Sequence, residues 1–255
     1  NLGQEATTYF KLQGLEGYDA LYLNRYGEFI ASLQSGKITK SPRSVVLFPK
    51  NGVYTNQAVD LLGVKFIVFK IADGHSPWTF PFWESEEGRF TLLSNDQTYQ
   101  VLENKNVLDR AFLVDSYEIE SDSQKILTKL FDKDFDFRKE VILEENPNMK
   151  LEKSSGSAEV IYYSGNKVSI KTKSDKDSIL FLSDSYYPGW KAKVDNNKTK
   201  IYRANYAFRA IVVPKGEHQV DFIYKPESFK VGAGFFVIGF LLIVVIEVLR
   251  RKRIT

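Results

Sequence analysis

From residue 158 to residue 224 the chain alternates apolar and polar positions in short runs, each closed by turn residues. The runs 158–163, 167–173, 178–183, 190–194, 198–203, 206–213 and 218–224 read as strands. Ser164-Gly165-Asn166, Asp195-Asn196-Asn197 and Pro214-Lys215-Gly216 supply turns between them. Seven short strands in about 70 residues predict an antiparallel β-sandwich, jelly-roll or Ig-like, over residues 154–228.

Upstream the pattern is mixed. Leu21, Tyr22, Tyr26, Phe29 and Ile30 lie near helical spacing, with Asp19 as an N-cap candidate. Residues 57–62 predict a short helix stopped by Gly63, and 123–131 another helix. Residues 64–70, 100–103, 110–114 and 141–143 read as strands. The aromatic stretch 76–87, with Trp78, Phe80, Phe82 and Trp83, reads as a loop packed back on the core, with a membrane-proximal surface as the alternative. Residues 1–153 are therefore expected to form a mixed α+β domain outside the cytoplasm, joined to the sandwich through Ser154-Ser155-Gly156-Ser157. The fold class is α+β, mostly β.

The pattern then changes again. Residues 231–246 contain no charged side chain. With Val248 and Leu249 the run reaches about 19 residues, roughly 28 Å as a helix, close to the hydrocarbon thickness of a bilayer. Residues 229–250 are thus expected to span a membrane once. Arg250, at the end of this span, and Arg251, Lys252 and Arg253, in a basic tail over 251–255, predict a cytoplasmic C-terminus, with the bulk of the chain extracytoplasmic. A buried core helix is the competing reading, and four terminal cations disfavour it.

Composition narrows the function. Those four cations account for the net charge of +3, so no broad basic surface for nucleic acid is implied. The absence of cysteine excludes disulfides and thiolate metal sites. His75 and His218 are far apart in sequence, and no metal-ligand spacing, Gly-rich phosphate loop or Ser-His-Asp order appears, so no metal or cofactor is expected. The chain opens at Asn1 without an initiator methionine and reads as a piece of a longer protein.

Two groups of residues carry candidate chemistry. Tyr186, Tyr187 and Trp190 flank Pro188-Gly189 and form either a stacking platform for a sugar ring or a turn leading into a core strand. Asn205, Tyr206 and Arg209 either bind an anionic acceptor, since Arg suits bidentate phosphate contacts, or belong to an ordinary strand. Carboxylates at 132–136 and at Glu84, Glu86 and Glu87 read as solvated loops rather than a hydrolytic pair.

The ordered set Ser185-Tyr186-Tyr187-Pro188-Gly189-Trp190, Tyr202-Arg203-Ala204-Asn205-Tyr206, Val213-Pro214-Lys215-Gly216 and Tyr224-Lys225-Pro226, followed by the membrane helix, resembles the C-terminal region of YfhO-type bacterial membrane proteins. Gly17-Tyr18-Asp19, Leu61-Leu62-Gly63-Val64 and Arg110-Ala111-Phe112-Leu113-Val114 extend the resemblance upstream. It implies a multi-spanning parent related to GT-C glycosyltransferases. Such a parent transfers a sugar from a polyprenyl-phosphate carrier to a cell-envelope polymer such as a teichoic acid. The catalytic acid of those enzymes lies in an early outer loop absent from this chain, so no catalytic residue is expected here. The implied partners are the lipid bilayer, upstream membrane helices of the same protein, and a cell-envelope glycan or polyprenyl-phosphate sugar. A membrane-anchored carbohydrate-binding or structural module is the alternative.

Overall fold

The structure is a computed structural model that describes residues 12–15, 17–18, 22–40, 45–46, 49, 52–71 and 88–252. Asp19, His75, the aromatic stretch 76–87 with its glutamates, and Arg253 lie outside the described residues.

Two large sheets form the body of the chain. A five-stranded sheet has the order β13 (Asn197–Thr199), β12 (Trp190–Val194), β16 (Gly216–Tyr224), β10 (Lys167–Ser174), β9 (Gly156–Ser164). A six-stranded sheet has the order β6 (Ala111–Val114), β11 (Ser178–Ser185), β15 (Phe208–Val213), β14 (Tyr202–Ala204), β8 (Glu140–Leu143), β7 (Ser116–Ile119). The pairings are antiparallel except β7 with β8, which is parallel.

Alternation along the strands explains why the sheets pack in layers. On β11, Leu180 and Leu182 face the five-stranded sheet, joining Val168, Ile170, Val220 and Phe222 in the inter-sheet core. Ile179 and Phe181 of the same strand join Phe208 and Ala210 in a second core on the opposite face. Three helices cover that second face: α1 (Asn24–Ser32), α2 (Thr55–Leu61) and α3 (Ser123–Leu130). Strands β11 and β15 of the six-stranded sheet are therefore buried on both faces, and Phe29 of α1 meets Phe208 edge-on at 5.2 Å. Burying each of Phe181, Phe208 and Phe222 contributes roughly 2–3 kcal/mol.

Local chemistry sets the helix ends. Gly63 has φ +68°, and Gly63 N–H and Val64 N–H donate to the carbonyls of Asp60 and Val59 at 3.0 and 2.9 Å, a Schellman stop for α2. The Asp122 carboxylate accepts from Lys125 N–H at 2.8 Å and caps α3, worth about 1 kcal/mol. A smaller three-stranded sheet has the order β3 (Phe66–Lys70), β5 (Tyr99–Asn104), β4 (Phe90–Asn95), and Val45–Val46 (β2) pairs with Gly17–Tyr18 (β1).

Several expectations shift in detail. The predicted strand 198–203 divides at Lys200 and Ile201 into β13, which pairs with β12, and β14, which pairs with β15. The chain there crosses from one sheet to the other, a corner that period alone does not mark. The strand expected from residue 206 begins at Phe208, because Asn205 (φ +45°) and Tyr206 (φ +76°) form a left-handed turn. The first helix starts at Asn24, and Leu23 at its N-cap supplies no side-chain bond. The segment read as a linker is pinned: Ser154 N–H donates to Asp115 at 3.0 Å and Ser155 N–H to Asp175 at 2.7 Å. Strands from both sides of Ser154 share the six-stranded sheet.

From β16 the chain passes through Lys225 and Pro226 into α4 (Glu227–Lys252), 26 residues long. None of its residues 227–246 is buried in the chain, which removes the core-helix reading. Among the described residues it is the single helix long and apolar enough to cross a membrane.

Candidate binding cleft

At one end of the inter-sheet core lies a cleft of about 670 Å³. Its floor follows from strand parity. Arg209 occupies the row of Ile211 and Val213 on β15, and Asp184 the row of Leu180 and Leu182 on β11, so a cation and an anion fall where the apolar core runs out. The register of β11 against β15 shifts between Leu182 and Ser185, and this irregularity carries Asp184.

The polar contacts are dense. Asp184 accepts from Arg209 Nη2 through Oδ2 at 2.8 Å and from Arg110 Nη1 through Oδ1 at 2.8 Å. Tyr163 O–H donates to the same carboxylate at 3.3 Å and accepts from Arg110 Nη1 at 2.9 Å. Arg110 also donates to the Gln13 side-chain oxygen. Burial pulls the Arg209 guanidinium down to about 10, with Asp184 opposing, so it stays charged at neutral pH. The Tyr163 phenol is pushed up, first by burial and then by the Asp184 charge.

Aromatic rings build the wall nearest α4. Arg209 lies over the Trp190 ring at 4.0 Å from its centroid and over Phe222 at 5.4 Å. Tyr224 sits 5.5 Å from Trp190 and 6.2 Å from Tyr187, centroid to centroid. Gly189 makes this packing feasible: its φ is +105°, and a Cβ there would meet Tyr224 at 2.9 Å and Pro226 at 3.2 Å. Lys225 N–H donates to Gly189 C=O at 2.7 Å, and Lys191 pairs with Glu227 at 2.5 Å. The Pro188-Gly189 turn is thus fastened to the root of α4.

The structure brings Tyr187, Trp190 and Arg209 together in this cleft. It places Tyr186, Asn205 and Tyr206 elsewhere. Tyr186 lies under the Arg203 guanidinium at 4.6 Å. Asn205 is buried and exchanges bonds with Ile142, accepting at 2.9 Å through its side chain and donating its own N–H at 2.8 Å. Tyr206 is also buried; its O–H donates to Glu28 at 2.8 Å, and Arg25 lies 4.7 Å over its ring. Burial and the Glu28 bond push the Tyr206 phenol above its usual range. Asn205 thus ties its turn to β8 within the sheet, and Tyr206 ties the sheet to α1. Asp184 and Tyr163 are cleft residues that the sequence reading missed; Arg110 stood only as part of the family resemblance. Among the described residues, no group of three or more His, Asp or Glu could hold a metal ion.

Residues 144–235 match the family model described as "Bacterial membrane protein YfhO". A Bacillus subtilis (strain 168) protein named "Uncharacterized protein YfhO" is 27% identical over 123 residues, covering 47% of this chain and 14% of that protein. The chain thus matches a small part of its relative's length. No solved structure matches. The matched segment takes in β9 to β16, the aromatic wall of the cleft and the first turns of α4, and over those residues the chain is similar to YfhO-type bacterial membrane proteins, as the resemblance read from the residues implies.

Proposed function

We propose that this chain is the outward-facing C-terminal region of a glycosyltransferase-like integral membrane protein, auxiliary to transfer of a sugar from a polyprenyl-phosphate donor to a cell-envelope polymer. The observation that carries the reading is the cleft, with cationic and aromatic side chains gathered beside the residues that lead into α4. A sugar offers apolar C–H faces to aromatic rings, and a phosphate offers oxygens to guanidinium groups. The only cleft carboxylate among the described residues, Asp184, is engaged by two guanidiniums, which suits binding rather than bond breaking. The four cations at 250–253 favour a cytoplasmic tail and an outward body.

Deleting the complete gene and analysing envelope glycans tests the role. Loss of one sugar substituent, restored by the complete gene, is expected. Unaltered glycans overturn the transferase-linked role and leave a membrane-anchored binding module. Protease added to intact cells tests the orientation: the body should be digested and the extreme C-terminus spared, and the reverse pattern refutes an outward body.

A further inference from the structure

The cleft carries an unbalanced charge. Arg209 is 2% exposed, yet its Nη1 has no hydrogen-bond partner among the described residues. Its other contacts leave little freedom to find one. Nη2 is held by Asp184 at 2.8 Å, Nε lies 3.5 Å from the Asp184 carbonyl, and the guanidinium plane is stacked on Trp190. Asp184 is itself shared with Arg110, whose side chain is 29% exposed to the cleft. Among the described residues, two permanent cations therefore meet one carboxylate, a surplus of +1. An unpaired buried donor is costly, and beside a surplus cation an anionic acceptor satisfies it best.

We propose that the cleft binds a sugar phosphodiester, with its phosphate on Arg110 and Arg209 and its sugar ring on Tyr187 and Tyr224. The charge count selects the diester, because a single negative charge cancels the surplus, whereas a phosphomonoester brings about −1.5 to −2 at neutral pH. The ring contact falls to Tyr187, which is 45% exposed, because the face of Trp190 is occupied by Arg209. This deepens the proposed function and rests on it only for the biological source of the ligand. A lipid-linked sugar and a phosphate-containing envelope polymer both present this chemistry.

Calorimetry on the full chain, in a polyoxyethylene ether detergent that carries neither sugar nor phosphate, tests the site. The probes are methyl hexosyl phosphate, the neutral methyl hexoside and dimethyl phosphate. The diester is expected to bind about tenfold more tightly than either half. Arg110→Gln and Tyr187→Ala, both at partly exposed side chains, should each weaken it about tenfold while the chain keeps a cooperative melting transition; Arg110→Gln also loses its bonds to Asp184 and Tyr163 and melts somewhat lower. Arg209→Lys keeps the charge but loses the fork, and should weaken binding similarly. Equal affinity for the neutral hexoside, or undiminished binding by Arg110→Gln, overturns the proposal. Competition by polyprenyl phosphohexose in vesicles or by poly(glycerol phosphate) bearing hexose supports it and names the source; competition by neither overturns it. Absent binding alongside altered glycans in the deletion strain removes this site and leaves the functional reading standing. Binding with unaltered glycans does the opposite.

Discussion

Replacing Asp184 by asparagine should weaken the fold and strengthen anion binding at once. Asp184 and Arg209 have side chains 10% and 2% exposed, so this pair is not screened as a surface pair would be. Removing one partner of a buried pair costs about 3–5 kcal/mol, because the remaining charge stays buried without its counter-ion. The asparagine oxygen still accepts from one guanidinium, which places the loss near the lower end, about 3 kcal/mol. For a body of this size each kcal/mol lowers the melting temperature by about 2–4 °C, so a drop of roughly 6–12 °C is expected. Near-UV circular dichroism of the full chain in detergent reads it, and calorimetry on the same sample reads the anion. A drop below about 2 °C would show that Arg209 is not held by Asp184, and the account of the cleft floor would fail. Unchanged anion affinity in a variant that still folds would remove the charge-surplus reasoning.

Three more outcomes follow from particular contacts. Gly189→Ala forces a side chain into left-handed backbone against Tyr224 and Pro226, and should cost about 1–3 kcal/mol, measured as a lower melting temperature. Tyr206→Phe removes the bond to Glu28 and should cost about 1–2 kcal/mol; a neutral result in denaturant melts would mean that Glu28 finds water instead. His218 is raised above its ordinary value, first by its hydrogen bond to Asp195 and then by Lys215 C=O. Its folded pKa exceeds the unfolded one, so its contribution is complete below about pH 6.5 and disappears as pH rises through the folded value. Melting temperature should fall across that window, and Asp195→Asn should flatten the fall.

Much of the sandwich was legible because each strand is buried on one face or alternates between two cores, which writes a period of two into the sequence. Residues 190–194 match β12 in full, and Gly63 marked the end of α2 through its left-handed backbone. What could not be read is which strands become neighbours. β6 pairs with β11 across more than sixty residues, and no local pattern encodes a pairing at that separation. The cleft was half legible for the same reason. Tyr187, Trp190 and Arg209 stood out as aromatic and cationic residues in strand text. Asp184 was hidden beside them, because its role depends on an irregular pairing with another strand. Asn205 and Tyr206 looked like ligand contacts and are instead the turn and the buried anchor that tie β14 and α1 to the sheet.

Two residues separate β16 from α4, and two residues reach at most about 7 Å when fully extended. Strand β16 is bonded along both edges, to β10 and to β12, so it cannot swivel without breaking a ladder. With the Gly189 turn and Lys191 gripping the same junction, the helix works as a short stiff stalk. Any tilt of that stalk in the bilayer would turn the sandwich, and the mouth of its cleft, by a comparable angle. The membrane thereby serves as the frame of reference that fixes where this mouth points.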